Sequence, residues 1–215
     1  MVNPPDGDCE LEQRLRTGDE TALAELFGRH RERLWRMVQF RLDRRLLGRL
    51  DPEDVLQESF LAARGRLAHF QGREQMSAFV WLRLIVLQTL VDAHRHHLGA
   101  QARDAEREQS LGHVCGLQTT TAALAVQLAG DLTSPSQAAA RDETYRLLDQ
   151  AIAAMEPLDR EVLAMRHFEE LTNTEVAEVL QIQQKAASIR YVRAVRRLKE
   201  ILRQIPGFQE ERYDG

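Results

Sequence analysis

Leu171-Thr172-Asn173-Thr174-Glu175-Val176-Ala177-Glu178-Val179-Leu180-Gln181-Ile182 is the stretch on which the reading of this chain turns. Thr172 followed three residues later by Glu175 is a capping box, so a short helix opens there and gives way to a turn near Gln181. A longer helix is expected from about Gln184 to Arg203. Between Gln183 and Arg203 stand Lys185, Arg190, Arg193, Arg196, Arg197, Lys199 and Arg203, against the single acid Glu200. The segment therefore carries a net charge of +6 in a chain of 215 residues that sums to −4. An acidic protein that concentrates positive charge on the second helix of a helix-turn-helix is built to set that helix beside phosphate.

Working outward, Pro157 starts a helix through Phe168, and Ser134-Pro135-Ser136-Gln137 is a second capping box opening a helix to about Met155. Residues 135–205 thus read as a module of four closely spaced helices. Along its last helix Ala187, Tyr191, Ala194, Leu198, Ile201 and Ile205 repeat at four-three spacing and should face the core. The opposite side then presents Lys185, Ser188, Ile189, Val192, Arg193 and Arg196. Gln181 stands where such turns often carry glycine, so it must tolerate a left-handed backbone or adopt a different turn.

The front half, residues 10–98, is also helical. A short helix spans Cys9 to Gly18. Thr17-Gly18-Asp19-Glu20 fits a capping box, with Asp19 as the alternative cap. The helix it opens is expected to run to about Leu47. Its apolar stripe is Leu23, Leu26, Phe27, Leu34, Met37, Val38 and Leu42, and its solvent face is basic, with Arg29, Arg31, Arg33, Arg36, Arg41, Arg44, Arg45 and Arg49. Asp51-Pro52-Glu53-Asp54 is a strong helix start: a cap, a proline at the first helical position, and acids at the positive end of the dipole. That helix runs to about Arg66, a loop follows over Phe70–Gln75, and Ser77 caps a long helix through about Leu98. Residues 99–134 lose periodicity and read as a flexible linker with at most one transient helix. Residues 1–9 read as disordered and 206–215 as a polar tail. The expected fold class is all-α: two small helical domains joined by a linker.

Composition narrows the function. The run Phe79–Val91 is broken by Arg83 and Gln88, and nothing else approaches the length needed to span a bilayer, so no membrane insertion is expected. The N-terminus has neither the basic start nor the apolar core of a signal peptide. Cys9 and Cys115 stand apart, without metal-ligand spacing, as free thiols would in a reducing cytoplasm. His94-Arg95-His96-His97 lacks a partner cluster and reads as a solvated or DNA-facing helix end rather than a metal site. No nucleophile–base constellation and no Gly-rich phosphate loop is present, so neither an enzyme nor a cofactor is expected.

Two segments resemble one family. Leu50-Asp51-Pro52-Glu53-Asp54-Val55-Leu56-Gln57-Glu58-Ser59-Phe60, followed by Phe70 and Phe79-Val80-Trp81-Leu82-Arg83-Leu84-Ile85, is the first; Leu158-Asp159-Arg160-Glu161-Val162-Leu163 through the arginine-rich helix is the second. Together they resemble the extracytoplasmic-function (ECF, group IV) sigma factors of bacterial RNA polymerase. The resemblance implies that residues 10–98 are sigma region 2 and residues 135–205 sigma region 4. It implies a cytoplasmic, nucleoid-associated protein that binds core polymerase through the β′ clamp coiled coil and the β flap, without obligate homo-oligomerisation.

The same resemblance places Asp51, Glu53, Asp54, Gln57 and Glu58 on the β′ coiled coil. Their spacing agrees, since Asp51, Asp54 and Glu58 share one helix face and Leu50–Glu58 holds four acids and no base. It assigns Phe70, Arg73, Arg83, Gln88 and Arg95 to capture of an unstacked minus-ten base and to nearby phosphates, a task that needs an aromatic or apolar pocket with hydrogen-bond donors. Phe70 is read as either core or base-facing; Phe79 and Trp81 are read as core. In the rear module it assigns Ser188, Ile189, Val192 and Arg193 to base edges of the minus-thirty-five element, and Lys185, Arg190, Arg196 and Arg197 to phosphates. ECF-class proteins are commonly held by an anti-sigma partner. The competing reading is a stand-alone helix-turn-helix regulator binding operator DNA, which would need neither the acidic helix nor the Phe70 loop.

Overall fold

The computed structural model describes residues 6–42, 46, 48–72, 76–98, 123–125 and 138–204, and they are helical throughout, with no strand among them. The front half comprises α1 (Asp6–Arg16), α2 (Glu20–Arg41), α3 (Pro52–Gly65), α4 (Leu67–Gln71) and α5 (Ala78–Leu98). The rear half comprises α6 (Ala138–Ala153), α7 (Pro157–His167), α8 (Asn173–Leu180) and α9 (Gln184–Arg203).

The starts of α2, α3 and α8 follow caps written in the sequence. At α2 it is Asp19, not Thr17, that caps: its carboxylate accepts from the backbone N–H of Thr21 and Ala22. The hydrogen bonds from Thr21 and Arg14 hold that carboxyl down at about 2. Asp51 caps α3 by accepting from Glu53 N at 2.9 Å, with Pro52 at the first helical position.

Three boundaries differ from the sequence expectation. The first helix begins at Asp6, inside the stretch expected to be disordered. The second ends at Arg41, short of Leu47, because Leu42 turns to extended backbone (φ −69°, ψ 123°). The segment Leu67–Gln71, expected to be loop from Phe70, is a short helix that turns Leu67 and Phe70 inward. The start of the capping box at Ser134, Arg44, Arg45, Arg73, Cys115, Ile205 and the terminal tail lie outside the described residues.

The front core gathers Leu11 and Leu15 of α1, Leu23, Leu26, Leu34, Met37 and Val38 of α2, Val55 and Leu56 of α3, Phe70, and Phe79, Trp81, Leu82, Ile85, Val86 and Leu90 of α5. The two halves do not stand apart. Val162 and Met165 of α7, Leu171 ahead of α8, Val176 and Ala177 of α8, and Ala187 of α9 continue the same cluster. Phe40 of α2 joins a second cluster with Leu148, Ile152, Ala164 and Leu202, and stacks on Phe168 with ring centroids 4.5 Å apart and planes at 11°. From the segment expected to be linker, Leu124 and Ala125 are helical and buried in that second cluster.

Candidate nucleic-acid and partner interface

Thr172 Oγ1 accepts from Glu175 N at 3.2 Å while the Glu175 carboxylate accepts from Thr172 N at 2.7 Å, completing the reciprocal cap of α8. Gln181 does adopt the left-handed conformation, at φ 54° and ψ 44°, and its neighbour Ile182 closes the turn by donating to Ala177 O at 3.0 Å. Gln184 Nε2 donates to Thr174 Oγ1 at 2.9 Å, tying the start of α9 to the start of α8. The turn therefore fixes the angle at which α9 leaves.

Helix α9 buries Ala187, Ala194, Ile201 and Leu202, with Tyr191 and Leu198 half-buried beside them. Its far side presents Ile189 and Val192, exposed by 61% and 47%. Lys185, Arg196 and Arg197 surround them on the exposed side, Arg197 pairing with Glu200 at 3.1 Å. Large aliphatic side chains left this open between cations are unusual on a helix that has a core to face, and they suit a surface of mixed phosphate and base-methyl character. Ser188 donates its hydroxyl back to Gln184 O at 3.1 Å.

Arg190 and Arg193 are not free on this surface. Both converge on the N-terminus of α7. Arg193 donates Nε to Asp159 Oδ2 at 3.1 Å and Nη2 to Asp159 Oδ1 at 2.8 Å, and reaches Glu156 at 2.7 Å. Arg190 Nη1 reaches Glu156 at 3.0 Å and Asp159 at 3.3 Å. Asp159 is buried, so these charge-assisted bonds satisfy a carboxylate that would otherwise be unpaired. The hydrogen bond to Asp159 raises the guanidinium of Arg193 above its ordinary range.

In the front half, Asp51, Asp54, Gln57 and Glu58 are exposed along α3, while Glu53 is half-buried and paired with Arg31 of α2. Of the residues assigned to the minus-ten element, Gln88 is exposed and accepts from Arg66 Nη1 at 2.8 Å, and Arg95 is exposed beside Asp92 at 3.4 Å. Phe70 is fully buried, packed on Trp81 with centroids 4.8 Å apart and capped by Arg16, whose Cζ lies 4.6 Å from the ring. In this conformation its ring faces the core, as do Phe79 and Trp81. Arg83 points into the protein and Arg73 lies outside the described residues. His94, expected at a solvated helix end, is buried, whereas His96 is exposed. No group of potential metal ligands occurs among the described residues.

Sequence reasoning missed a charged seam between the halves. Arg41, expected on the solvent face of α2, is buried with only 2% of its side chain exposed. It donates Nε to Glu169 Oε1 at 2.6 Å and pairs with Glu161 through Nη2. Arg83 of α5 donates Nε to the other oxygen of Glu169, also at 2.6 Å. Burial alone would raise the Glu169 carboxyl, but Arg41 and Arg83 outweigh it and hold it down at about 2. Burial likewise works against the charge on Arg41, and Glu161 and Glu169 more than offset it, so the pair stays ionised. These partners lie 120 residues or more apart for Arg41 and 86 apart for Arg83, beyond the reach of any local sequence pattern.

Residues 145–198 match the family of sigma-70, region 4. That span holds α7 and α8 whole, α9 as far as Leu198 and the second half of α6, the unit whose turn and exposed helix face are described above. The chain is 24% identical over 194 residues to the ECF RNA polymerase sigma factor SigW of Bacillus subtilis, covering 90% of this chain and 95% of that protein. It is 27% identical over 175 residues to the RNA polymerase sigma-H factor of Pseudomonas aeruginosa, covering 81% of this chain and 82% of that one. The likeness is to sigma factors. It extends through the front half as well as the matched rear module. Among solved structures, CnrH in complex with the cytosolic domain of CnrY has a similar all-helical fold, with a TM-score of 0.51 at 21% identity over 92% of this chain and 98% of that one.

Proposed function

We propose that this protein is an ECF-type sigma factor that joins RNA polymerase core and directs it to promoters. The observation that carries the reading is the pairing of two surfaces in one chain: the carboxylate face of α3, and the exposed aliphatic-and-cationic face of α9 in a module matching sigma-70 region 4. A stand-alone operator-binding regulator has use for the second surface but not the first.

In this reading α3 binds the β′ coiled coil through Asp54, Gln57 and Glu58, with Asp51 holding the helix start and Glu53 steered by Arg31. Gln88, Arg66 and Arg95 face the minus-ten strand. Phe70 takes part in melting only if α4 shifts, since its ring is enclosed. On α9, Ile189 and Val192 touch thymine methyls while Lys185, Arg196 and Arg197 hold phosphates. Arg190 and Arg193, tethered to α7, act through whichever donors Asp159 and Glu156 leave unused. The solved relative's complex with the cytosolic domain of a second protein supports an anti-sigma partner for this chain too. No described helix is long and apolar enough to cross a membrane; work on polymerase implies a cytoplasmic protein. Run-off transcription with core polymerase over a promoter library tests the reading: defined start points that depend on this chain support it, and initiation indistinguishable from core alone overturns it.

A further inference from the structure

Two arginines of α9 and two acids at the start of α7 form one cluster at the edge of the exposed face of α9. Arg190 and Arg193 are three residues apart, so they share one side of the helix. Each directly follows or precedes an exposed aliphatic residue, Ile189 and Val192 respectively. Nη1 of Arg190 is shared between Glu156 Oε1 and Asp159 Oδ1, and Nη2 of Arg193 between Glu156 Oε2 and Asp159 Oδ1. Each oxygen of Glu156 thus holds one arginine. Two carboxylates against two guanidinium groups leave the cluster without net charge, on the helix that otherwise carries the positive charge of the chain.

The fold asks different things of the two acids. Asp159 is buried, lies in the first turn of α7 where the helix dipole favours an acid, and also accepts from Arg193 Nε. Glu156 occupies the N-cap position of α7, yet its side chain makes no capping bond. Its side chain is 48% exposed, and an ion pair that open to water adds little to stability. What its carboxylate does is neutralise the two arginines. We propose that Glu156 is a positioning residue for DNA binding: it holds Arg190 and Arg193 on α7, away from phosphate, and so sets how strongly α9 binds DNA irrespective of sequence. The proposal rests on the reading of α9 as the DNA-facing helix. Phosphate contacts supply affinity without sequence information, whereas Ile189 and Val192 meet base edges. A guanidinium already paired with a carboxylate brings no net charge to the phosphate backbone and releases no counterion there. Arg193, with 54% of its side chain exposed, is the one placed to turn outward; Arg190 is more enclosed. Asp159 keeps its bonds to both when Glu156 loses its charge, so α7 and α9 stay joined while one positive charge is left over beside the base-reading face.

The test compares the full chain with Glu156→Gln and Glu156→Asp. The probe is a random-sequence duplex of about 20 base pairs, and fluorescence anisotropy gives the affinity between about 50 and about 300 mM salt. Removing the charge is expected to steepen the fall of log affinity with log salt by about 0.9, the effect of one added phosphate contact, and to tighten binding roughly eightfold at about 0.1 M. Glu156→Asp keeps the charge and is expected to keep the parent slope. Glu25→Gln is the matched control: it removes an acid of α2 that is 50% exposed and paired with Arg14, and should leave the slope alone, since salt screens a surface charge within about 10 Å. Should Glu156→Gln lose helix content by circular dichroism, Glu156→Ser, which removes the same charge and offers a capping hydroxyl, gives the slope instead. A parent-like slope without the Glu156 charge overturns the proposal and leaves the DNA-facing reading of α9 standing. An equal change in Glu25→Gln also overturns it, because the effect would then follow net charge and not place. If neither parent nor variants bind the duplex, the DNA-facing reading falls and the proposal falls with it.

Discussion

Arg83 Nε lies 2.6 Å from Glu169 Oε2, and the two side chains are exposed by only 2% and 1%. This contact joins residues that the sequence places in different domains, and it gives the fold a defined pH dependence. Glu169 is held at about 2, below the ordinary 4.5 of a glutamate. A depressed carboxyl contributes stability that is complete above its unfolded value and is lost as pH falls through the folded one. The groups facing it are Arg41 and Arg83, with Glu161 beside them. Nearby, His30 is buried against Asp8 and Phe79, with Arg29, Arg33 and Glu175 around it; burial pushes its imidazole below the ordinary 6.5. An imidazole kept neutral in the fold also favours unfolding as pH falls below 6.5. Both act in the same direction. Stability should therefore be flat near neutrality, decline first below 6.5 and then more steeply from 4.5 toward 2. Thermal melts across that range check it; a melting point that rises on acidification contradicts the assignment.

The exposed aliphatic pair on α9 makes a chemical prediction about DNA. Ile189 and Val192 have no hydrogen-bonding group, so any base preference they impose comes from apolar contact with thymine methyls. Ile189→Ala removes methylene and methyl groups worth about 1 kcal/mol of contact, and should cost about fivefold in affinity at a preferred site. Replacing the contacted thymines by uracil in the parent complex should cost a similar amount, and the two losses should not add. Electrophoretic mobility shifts on a site selected from the promoter library measure all four combinations. Additive losses would show that the side chain and the methyl do not meet.

The helix-turn-helix was legible because its signals are local. The capping box at Thr172, the turn at Gln181 that had to take a left-handed residue or another form, and the four-three stripe on α9 each lie within a few turns of chain; the box is present, Gln181 is left-handed, and Ala187, Ala194 and Ile201 of the stripe are buried. Asp51 and Pro52 were legible for the same reason. Burial of Arg41 and Arg83 was not. An arginine on an amphipathic helix faces solvent unless something distant brings a carboxylate, and Glu169 arrives from another part of the chain. Phe70 illustrates an intermediate case. Its aromatic character was evident, but whether it faces core or solvent depended on α4 folding as a short helix under Arg16. The tether between Arg193 and Asp159 is likewise tertiary: both residues were visible, and their meeting was not.

The turn at Gln181 stores strain that can be removed. A non-glycine residue at φ 54° places its Cβ close to its own carbonyl, at a cost of about 1 kcal/mol relative to glycine. The Gln181 side chain is exposed and no hydrogen bond from it contributes to the turn among the described residues. Gln181→Gly should stabilise the rear module by about 1 kcal/mol and raise the melting temperature by about 2–4 °C. Gln181→Val should do the opposite, since a β-branched side chain is least tolerated there. A differential scanning calorimetry trace in which glycine lowers the melting point would mean that the left-handed turn is not the strained element described.

The acidic face of α3 allows a clean separation of binding from folding. Asp51 cannot be used, because its carboxylate caps the helix, and removing a cap costs about 1 kcal/mol by itself. Glu53 is tied to Arg31, so its loss also disturbs the contact between α3 and α2. Asp54 and Glu58 are exposed, and neither makes a described ion pair with another element. They sit four residues apart on one face, where two charge reversals change the local charge by four units without touching the core. The double substitution Asp54→Lys with Glu58→Lys is expected to leave helix content unchanged, shift the melting temperature by no more than a few degrees, and weaken capture by core polymerase at least about tenfold, with the loss reduced in high salt. Co-purification with core at two ionic strengths reads this directly. Full capture by the reversed face would remove α3 from the polymerase contact and leave the rear module alone to account for function, which is the operator-binding reading.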